Sequence, residues 1–242
     1  MTSNGREPLL AIAGLTKRFE GKTVLDALSF DLQRGEILGI LGPNGAGKTT
    51  TFLCLCGLLR PDSGTITYAG KRLGGDRGRT ISLIPETPDV YPMLTVWEHL
   101  VFVARSLRLP KGWEARGDEL LERFAMTQHR DALGQTLSKG MRQKTLIAAT
   151  VLADAPVLLL DEPMIGLDPR GQRELREVIA QTSASGTSIL MSTHLIESAE
   201  AICDRLIIMK DGVALASGAA AELRSRDAAG RSLEDVFLDI TG

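Results

Sequence analysis

The sequence predicts an α/β fold with a mostly parallel sheet, an antiparallel β part near its N-terminal end and an inserted α-helical subdomain. Short apolar runs separated by glycine and charged residues fill the first part of the chain, as in consecutive strands. Apolar residues recur at helical spacing from about Leu94 to Leu152. Beyond that stretch, strand-like and helix-like segments alternate, which is typical of parallel sheets covered by helices.

The first half of the chain is predicted to be rich in strands. Five short apolar runs are predicted as strands: residues 9–14, 23–32, 36–41, 64–70 and 79–85. A helix is expected directly after the glycine-rich segment that follows the third strand. It ends near Gly57 and Pro61, since glycine and proline commonly follow helix C-termini.

The second half combines a helical insertion with further strands. Helical segments are predicted at residues 94–107, 118–126, 141–153, 169–183 and 195–203, and strands at residues 157–161, 187–193 and 205–210. The dipeptide Asp211-Gly212 predicts a tight hairpin into a last strand, 213–218. We expect one domain, residues 1–242, in which 1–87 and 156–242 form the core and 88–155 form the helical subdomain.

Composition excludes several classes of protein. The formal net charge is −2, so no global basic field would gather nucleic acid. No apolar run approaches the roughly 20 residues that span a bilayer, and the N-terminal residues lack a signal-peptide pattern. The chain has three cysteines, a small and odd number that argues against a disulfide framework, and we interpret them as small buried side chains. These features predict a cytosolic chain whose membrane role, if any, comes from a partner.

The segment Gly42-x-x-x-x-Gly47-Lys48-Thr49 fits a phosphate-binding loop between a strand and a helix. Glycine allows the chain to curl, so that several backbone N–H groups point inward, and the helix adds its positive N-terminal end. Lys48 is expected to reach the β- and γ-phosphates of a nucleotide, and the Thr49 hydroxyl to ligate Mg²⁺. The expected binding residues of this loop are Gly42, Pro43, Asn44, Gly45, Ala46, Gly47, Lys48, Thr49 and Thr50.

Two carboxylates end the apolar strand at residues 157–161. Such a strand lies inside a sheet, and its carboxyl end opens at the ligand crevice. Asp161 is therefore expected to hold Mg²⁺, and Glu162 to orient and polarise the attacking water. The alternative, two solvated acids in a loop, does not fit so apolar a strand.

Six short pieces occur in this order along the chain: "LTKRFEGKTVLD", "GPNGAGKT", "LSKGMRQK", "VLLLDEP", "GLDP" and "STHL". Through them the sequence resembles, over essentially its whole length, the ATP-binding cassette (ABC) ATPases, which implies a phosphate-loop NTPase core. The resemblance implies ATP and Mg²⁺ as ligands, and two cassettes that close head to tail around two ATP molecules. Each ATP then lies between the phosphate loop of one subunit and the "LSKGMRQK" signature of the other.

The signature stretch is predicted to be a helix start with a ligand-binding role. Ser138 is a natural N-cap for a helix over residues 139–152. The resemblance makes Ser138 and the N–H of Gly140 donors to the partner's γ-phosphate. Lys139 and Met141 depart from the usual family pattern; Lys139 adds a cation near a polyanion, and Met141 removes a glutamine amide.

The resemblance assigns roles to four other residues. Glu86 stands where the family usually has glutamine, and is expected to reach Mg²⁺ and the attacking water; the alternative is a surface glutamate. His194 is expected to hydrogen-bond the γ-phosphate, although a lone histidine is more often a helix cap. Asp168 is an N-cap before Pro169, with a contact across the dimer interface. Phe19 is expected to stack on adenine, unless it is a core residue.

We expect this cassette to drive separate membrane permease subunits, as a homodimer or heterodimer on the inner face of the cell membrane. The segment around Tyr91, Met93 and Leu94 would line the permease groove, or would simply pack within the subdomain. The C-terminal "SLEDVFLDITG" resembles that of export-type cassettes. An import cassette, a soluble non-transport cassette and a non-hydrolysing regulatory cassette are the alternatives. No nucleic-acid partner is expected.

Overall fold

The computed structural model describes residues 7–74, 77–225 and 233–241. Its strands form two sheets. The strands are β1 (Leu10–Phe19), β2 (Lys22–Leu32), β3 (Ile37–Leu41), β4 (Ser63–Tyr68), β5 (Lys71–Arg72), β6 (Ile81–Ile84), β7 (Val157–Asp161), β8 (Ser188–Thr193), β9 (Arg205–Lys210) and β10 (Val213–Gly218). The smaller sheet has the order β2-β1-β4-β5, and the larger one β10-β9-β3-β8-β7-β6.

Helices connect and cover the larger sheet. They are α1 (Lys48–Cys56), α2 (Val96–Leu107), α3 (Trp113–Arg123), α4 (Lys139–Leu152), α5 (Pro169–Ala184), α6 (Ile196–Ile202), α7 (Ala220–Ser225) and α8 (Leu233–Thr241). Two short 3₁₀ turns, Thr127–His129 and Gly134–Thr136, lie between α3 and α4. Within the described ranges, no helix has both the length and the apolarity needed to cross a bilayer.

The larger sheet is parallel except at one edge, which confirms the predicted fold class. Strands β9, β3, β8, β7 and β6 are mutually parallel, and only β10 pairs antiparallel with β9. Every residue of β3, β7 and β8 is buried, because both faces of the larger sheet are covered, one of them by α1 together with the smaller sheet. The β9–β10 hairpin turns at Asp211 and Gly212, whose φ angles of 48° and 81° suit the predicted tight turn.

The smaller sheet is the antiparallel β part predicted near the N-terminus. Strand β1 pairs antiparallel with both β2 and β4. It extends to Phe19, five residues beyond the predicted strand 9–14, because pairing with β2 continues through the polar residues Lys17 and Arg18. One face of an antiparallel sheet can be exposed to water, so β1 continues through residues that are no longer apolar.

The helices between β6 and β7 occupy the predicted insertion. Thr95 and Glu98 form a capping box at the start of α2, and α3 begins five residues before the predicted helix. Buried residues of these helices and of the strands, such as Val96 and Leu160, belong to one apolar cluster. The division into a core (1–87 and 156–242) and a subdomain (88–155) stays a prediction.

His99 lies inside this helical region. Because no motif surrounds this histidine, the sequence predicts a helix-surface residue, and that prediction is wrong. It is only 4% exposed. Its Nδ1 lies 2.7 Å from the Thr95 carbonyl oxygen, and its Nε2 accepts from the Tyr91 N–H at 2.9 Å. Both ring nitrogens are thus satisfied by backbone groups, which makes burial of the imidazole tolerable.

The cysteines are buried or half-buried free thiols, as interpreted from the sequence. Burial raises the pKa of the Cys54 thiol to about 11 and that of Cys203 to about 12.

Because the thiolate is the reactive form, we expect iodoacetamide at pH 8 to leave both Cys54 and Cys203 unmodified in the folded protein. Cys56, half-buried, is expected to react first. Peptide mass spectrometry before and after guanidinium unfolding measures this, and rapid labelling of native Cys203 would contradict it.

Candidate active site

The phosphate-binding loop lies between β3 and α1, and close backbone contacts fix its path. Gly45 and Gly47 adopt left-handed φ angles of 83° and 99°. A Cβ atom on Gly42 would come within 2.3 Å of the Met209 carbonyl oxygen, so a side chain would push the loop off the sheet. Helix α1 begins at Lys48, and among the described residues no side chain caps it. Its first N–H groups are thus left for an anion.

Lys48 reaches across the mouth of this loop. Its Nζ donates to the carbonyl oxygens of Gly42 at 2.7 Å and Pro43 at 3.2 Å. It also lies 3.2 Å from Glu162 Oε1, and both side chains are more than 90% buried. The ammonium group is therefore held between the loop and the acidic end of β7, where a phosphate bound by the loop would meet it.

Asp161 ends strand β7 beside the first turn of α1. Its Oδ2 accepts a hydrogen bond from Thr49 Oγ1 at 2.7 Å, and its Oδ1 accepts one from the Ser192 hydroxyl. Parallel pairing sets Asp161 opposite Ser192, at the end of β8. Sequence reasoning missed Ser192, although a polar residue at the end of the apolar run "SILM" was the available signal.

Glu162 follows Asp161 with a left-handed φ of 44°, uncommon outside glycine. Its backbone N–H donates to the carbonyl oxygen of Ser192 at 3.2 Å and to its hydroxyl at 3.0 Å. Its carboxylate lies 3.1 Å from His194 Nδ1 and also faces the His194 N–H at 3.3 Å. This backbone turn aims the carboxylate at Lys48 and His194, so the structure brings together three residues predicted for catalysis.

A cavity of about 190 Å³ opens over the loop. Its lining residues are Val24, Asn44, Gly45, Ala46, Gly47, Lys48, Thr49, Thr50, Glu86 and Glu162. Glu86, on the loop after β6, is exposed and faces the same cavity as Lys48 and Glu162. Glu86 and the phosphate-binding loop therefore line one cavity. That Glu86 binds a metal ion stays a prediction.

The oxygen atoms around Thr49 fit a magnesium ion that is completed by a nucleotide. Thr49 and Asp161 are in direct contact, and Glu86 faces the same cavity. Among the described residues, no group of three His, Cys, Asp or Glu side chains could hold a metal by itself. Mg²⁺ commonly uses one or two protein ligands together with phosphate oxygens and waters, so this sparse donor set matches that ion.

Phe19 lies at the end of β1 and is 43% exposed, so the alternative of a buried core residue is wrong. The Lys17 ammonium group stands 5.3 Å from the centre of its ring. Phe19 is not among the residues that line the cavity over the loop. Its exposed ring is open to a ligand, and stacking on adenine stays a prediction.

Ser138, Gly140 and Asp168 lie on a different concave surface. Ser138 caps α4 by accepting from the Met141 N–H at 3.3 Å, and Asp168 caps α5 by accepting from the Gly171 N–H at 2.7 Å. Both caps are as predicted from sequence. With Gly140 they line a concavity of about 750 Å³ that shares no lining residue with the cavity over the phosphate loop. Within one chain, the signature helix and the loop therefore face separate spaces.

A family model described as ABC transporter matches residues 25–165, more than half of the chain. This chain belongs to the ABC transporter family. The cassette is 38% identical over 241 residues to the ABC-type transporter ATP-binding protein EcsA of Bacillus subtilis, covering 96% of each chain. It is 39% identical over 223 residues to Nod factor export ATP-binding protein I of Ralstonia nicotianae, covering 90% of this chain and 70% of that one.

A solved structure of an ATP binding subunit of an ABC transporter has the same fold. It matches the cassette with a TM-score of 0.87 at 34% identity, covering 97% of this chain and 100% of that one. The predicted phosphate-loop NTPase fold is thereby confirmed. By its family the cassette is an ATPase and an ATP-binding subunit of an ABC transporter.

Proposed function

We propose that this cassette hydrolyses magnesium-bound ATP over the phosphate loop and thereby drives export through separate membrane subunits. The observation that carries the proposal is the buried contact of Lys48 with Glu162, which in turn contacts His194. A carboxylate for water thus lies within hydrogen-bonding distance of both a cation for phosphates and an imidazole. These are the groups that phosphoryl transfer to water requires.

In this proposal the loop residues 42–50 hold the triphosphate through backbone N–H groups and the N-terminal end of α1. The Lys48 ammonium group exchanges its contact with Glu162 for contacts with the β- and γ-phosphates. The freed Glu162 carboxylate accepts a proton from the attacking water, and His194 donates to the γ-phosphate. The left-handed turn at Glu162 keeps the carboxylate aimed at this point.

Thr49, Asp161 and Glu86 would hold Mg²⁺, which when bound neutralises charge that develops on the phosphates. The Thr49 hydroxyl, which now donates to Asp161, has a lone pair for the ion. Glu86 would approach from the loop after β6, which leads into α2. Its carboxylate gives this site one more negative charge than the glutamine usual in the family.

We expect Glu86→Gln to change the Mg²⁺ dependence of hydrolysis. A neutral amide binds a divalent cation less strongly than a carboxylate, so the Mg²⁺ concentration for half-maximal rate should rise, by about threefold to tenfold. The measurement is ATPase rate against free Mg²⁺ at fixed ATP. Asp89→Asn, an exposed acid on the same loop, is the matched control. An unchanged Mg²⁺ curve for Glu86→Gln would remove Glu86 from the metal site.

Two cassettes are proposed to close head to tail, so that Ser138 and Gly140 of one reach the ATP held by the other. Support comes from the separation of the signature surface from the loop cavity within one chain. Helix α4 has no acidic residue in its first turn, so the positive N-terminal end that lies at that surface favours an anion there. Asp168 would contact the partner beside this site, and Phe19 would stack on the adenine of its own ATP.

The permease is proposed to contact the exposed apolar side chains near the start of α2. Tyr91, Met93 and Phe102 are 54%, 71% and 47% exposed, and Tyr91 packs edge-on against Phe102 at 5.2 Å. Single exposed apolar side chains are common, but neighbouring ones that form a contiguous apolar patch mark interaction surfaces. The cassette would then sit in the cytoplasm, on the inner face of the membrane.

Export is favoured by likeness to the Ralstonia nicotianae export protein, and import is the second candidate. Isolation of the chain with its co-purifying membrane protein, followed by ATP-dependent uptake into inside-out vesicles, tests the direction. Substrate accumulation inside such vesicles supports export, and ATP-driven release supports import. An absence of ATP hydrolysis by the purified complex would instead point to the regulatory cassette.

A further inference from the structure

The segment directly after Glu162, residues 163–168, is called here the post-acid turn. It joins the catalytic carboxylate to Asp168, the cap of α5. Its own backbone hydrogen bonds are long: Ile165 N–H to Glu162 O is 3.3 Å and Leu167 N–H to Met164 O is 3.4 Å. Both exceed the usual range for N–H···O bonds, so the turn depends on other parts of the chain for its position.

Helix α4 supplies the short contacts to this turn. Lys139 Nζ donates to the carbonyl oxygen of Ile165 at 2.5 Å, and Gln143 Nε2 donates to that of Pro163 at 2.6 Å. The two side chains are four residues apart, so they project from one face of the helix. The bond from Lys139 carries a full charge and is therefore the stronger kind.

Packing around the Lys139 side chain reinforces this contact. Its Cδ and Nζ atoms come within 3.6 Å of the Cβ position of Gly166, and Leu167 comes within 3.5 Å of that of Gly140. The lysine therefore lies along the turn. Its ammonium group is engaged with the turn of its own chain, in contrast to the sequence-based expectation of a cation directed at the nucleotide.

We infer that Lys139 is a positioning residue for ATP hydrolysis: it ties the post-acid turn to the signature helix and so fixes the direction of the Glu162 carboxylate. This inference rests on the proposed function of Glu162. Glu162 has a left-handed backbone angle that surrounding contacts must maintain. If the turn is released, the carboxylate loses its fixed distances to Lys48 and His194, whereas the loop that binds ATP is unchanged.

The kinetic test compares Lys139→Met with Lys139→Arg in the purified transporter complex. Methionine keeps the length of the side chain without a donor, and arginine keeps the charge and the donors. We expect Lys139→Met to lower kcat on the order of tenfold with KM for ATP unchanged, and Lys139→Arg to recover most of the rate. Lys111→Met is the matched control, since Lys111 is an exposed lysine that lines neither the signature concavity nor the loop cavity.

Hydrogen exchange of the nucleotide-free protein tests the contact separately from catalysis. Peptides that span the post-acid turn should exchange at least about threefold faster in Lys139→Met than in wild type or Lys111→Met. Unchanged exchange, a raised KM at constant kcat, or a loss of rate that arginine does not restore would each overturn the inference. If wild type does not hydrolyse ATP, the proposed function fails, whereas faster exchange still establishes the tie to the turn.

Discussion

Glu162→Gln is expected to lower ATP turnover by about 10²- to 10⁴-fold while ATP binding is retained. Glutamine keeps the shape of the side chain and can still accept from the His194 N–H, but it cannot take a proton from water. It also removes the negative charge beside Lys48, which lies 3.2 Å away, so the lysine is freed for the phosphates. Phosphate release measures the turnover, and titration with a fluorescent ATP analogue measures the binding.

A second consequence of Glu162→Gln concerns assembly. If two cassettes close around ATP, a variant that binds but does not hydrolyse should accumulate as a dimer with ATP and return to monomer with ADP. Size-exclusion chromatography with light scattering measures this. Glu114→Gln is a control, since Glu114 is an exposed acid of α3 that lines neither the loop cavity nor the signature concavity. Phosphate release at the wild-type rate in Glu162→Gln would exclude Glu162 as the base.

Lys48→Ala is expected to weaken ATP binding by roughly 30-fold or more, which corresponds to the loss of about 2 kcal/mol or more from a buried charged contact. The Lys48 ammonium group is more than 90% buried, and it is the cation nearest to the loop carbonyls of Gly42 and Pro43. Isothermal titration with ATP and Mg²⁺ measures the change. Equal affinity of variant and wild type would refute the role of the loop.

Folding must be separated from binding in this experiment, because Lys48→Ala leaves the buried Glu162 carboxylate without its cation. We expect the nucleotide-free variant to unfold at a lower temperature, and the double variant Lys48→Ala/Glu162→Gln to recover part of that loss. Binding should remain weak in both. Lys144→Ala is the matched control, because Lys144 is also a buried lysine in an ion pair but lies outside the loop cavity.

Local sequence chemistry predicted most elements of the site. The Gly42–Thr49 spacing, the Ser138 and Asp168 caps and the Asp211-Gly212 turn are properties of residues close together in the chain, and the structure has each of them. The apolar strand before Asp161 likewise predicted a buried strand, since only strands covered on both faces are so uniformly apolar.

Contacts between residues that are far apart in the sequence were not predicted. Ser192 lies between Asp161 and Glu162 only because β8 pairs with β7, 31 residues away in sequence. His99 was assigned to the surface because a polar residue at helical spacing gives no sign of a buried backbone partner such as Tyr91. Lys139 was expected near a nucleotide, and its contact with Ile165 depends on how α4 packs against the turn.

The sequence by itself determined the α/β class, the phosphate loop and the acidic strand, because spacing, glycine conformation and capping act over a few residues. Only the tertiary structure decided that Lys48, Glu162 and His194 meet, and that the signature helix faces a separate concavity. The physical reason is that these contacts join the ends of different strands and helices. Their distances are set by sheet register and helix packing, which no short stretch of sequence specifies.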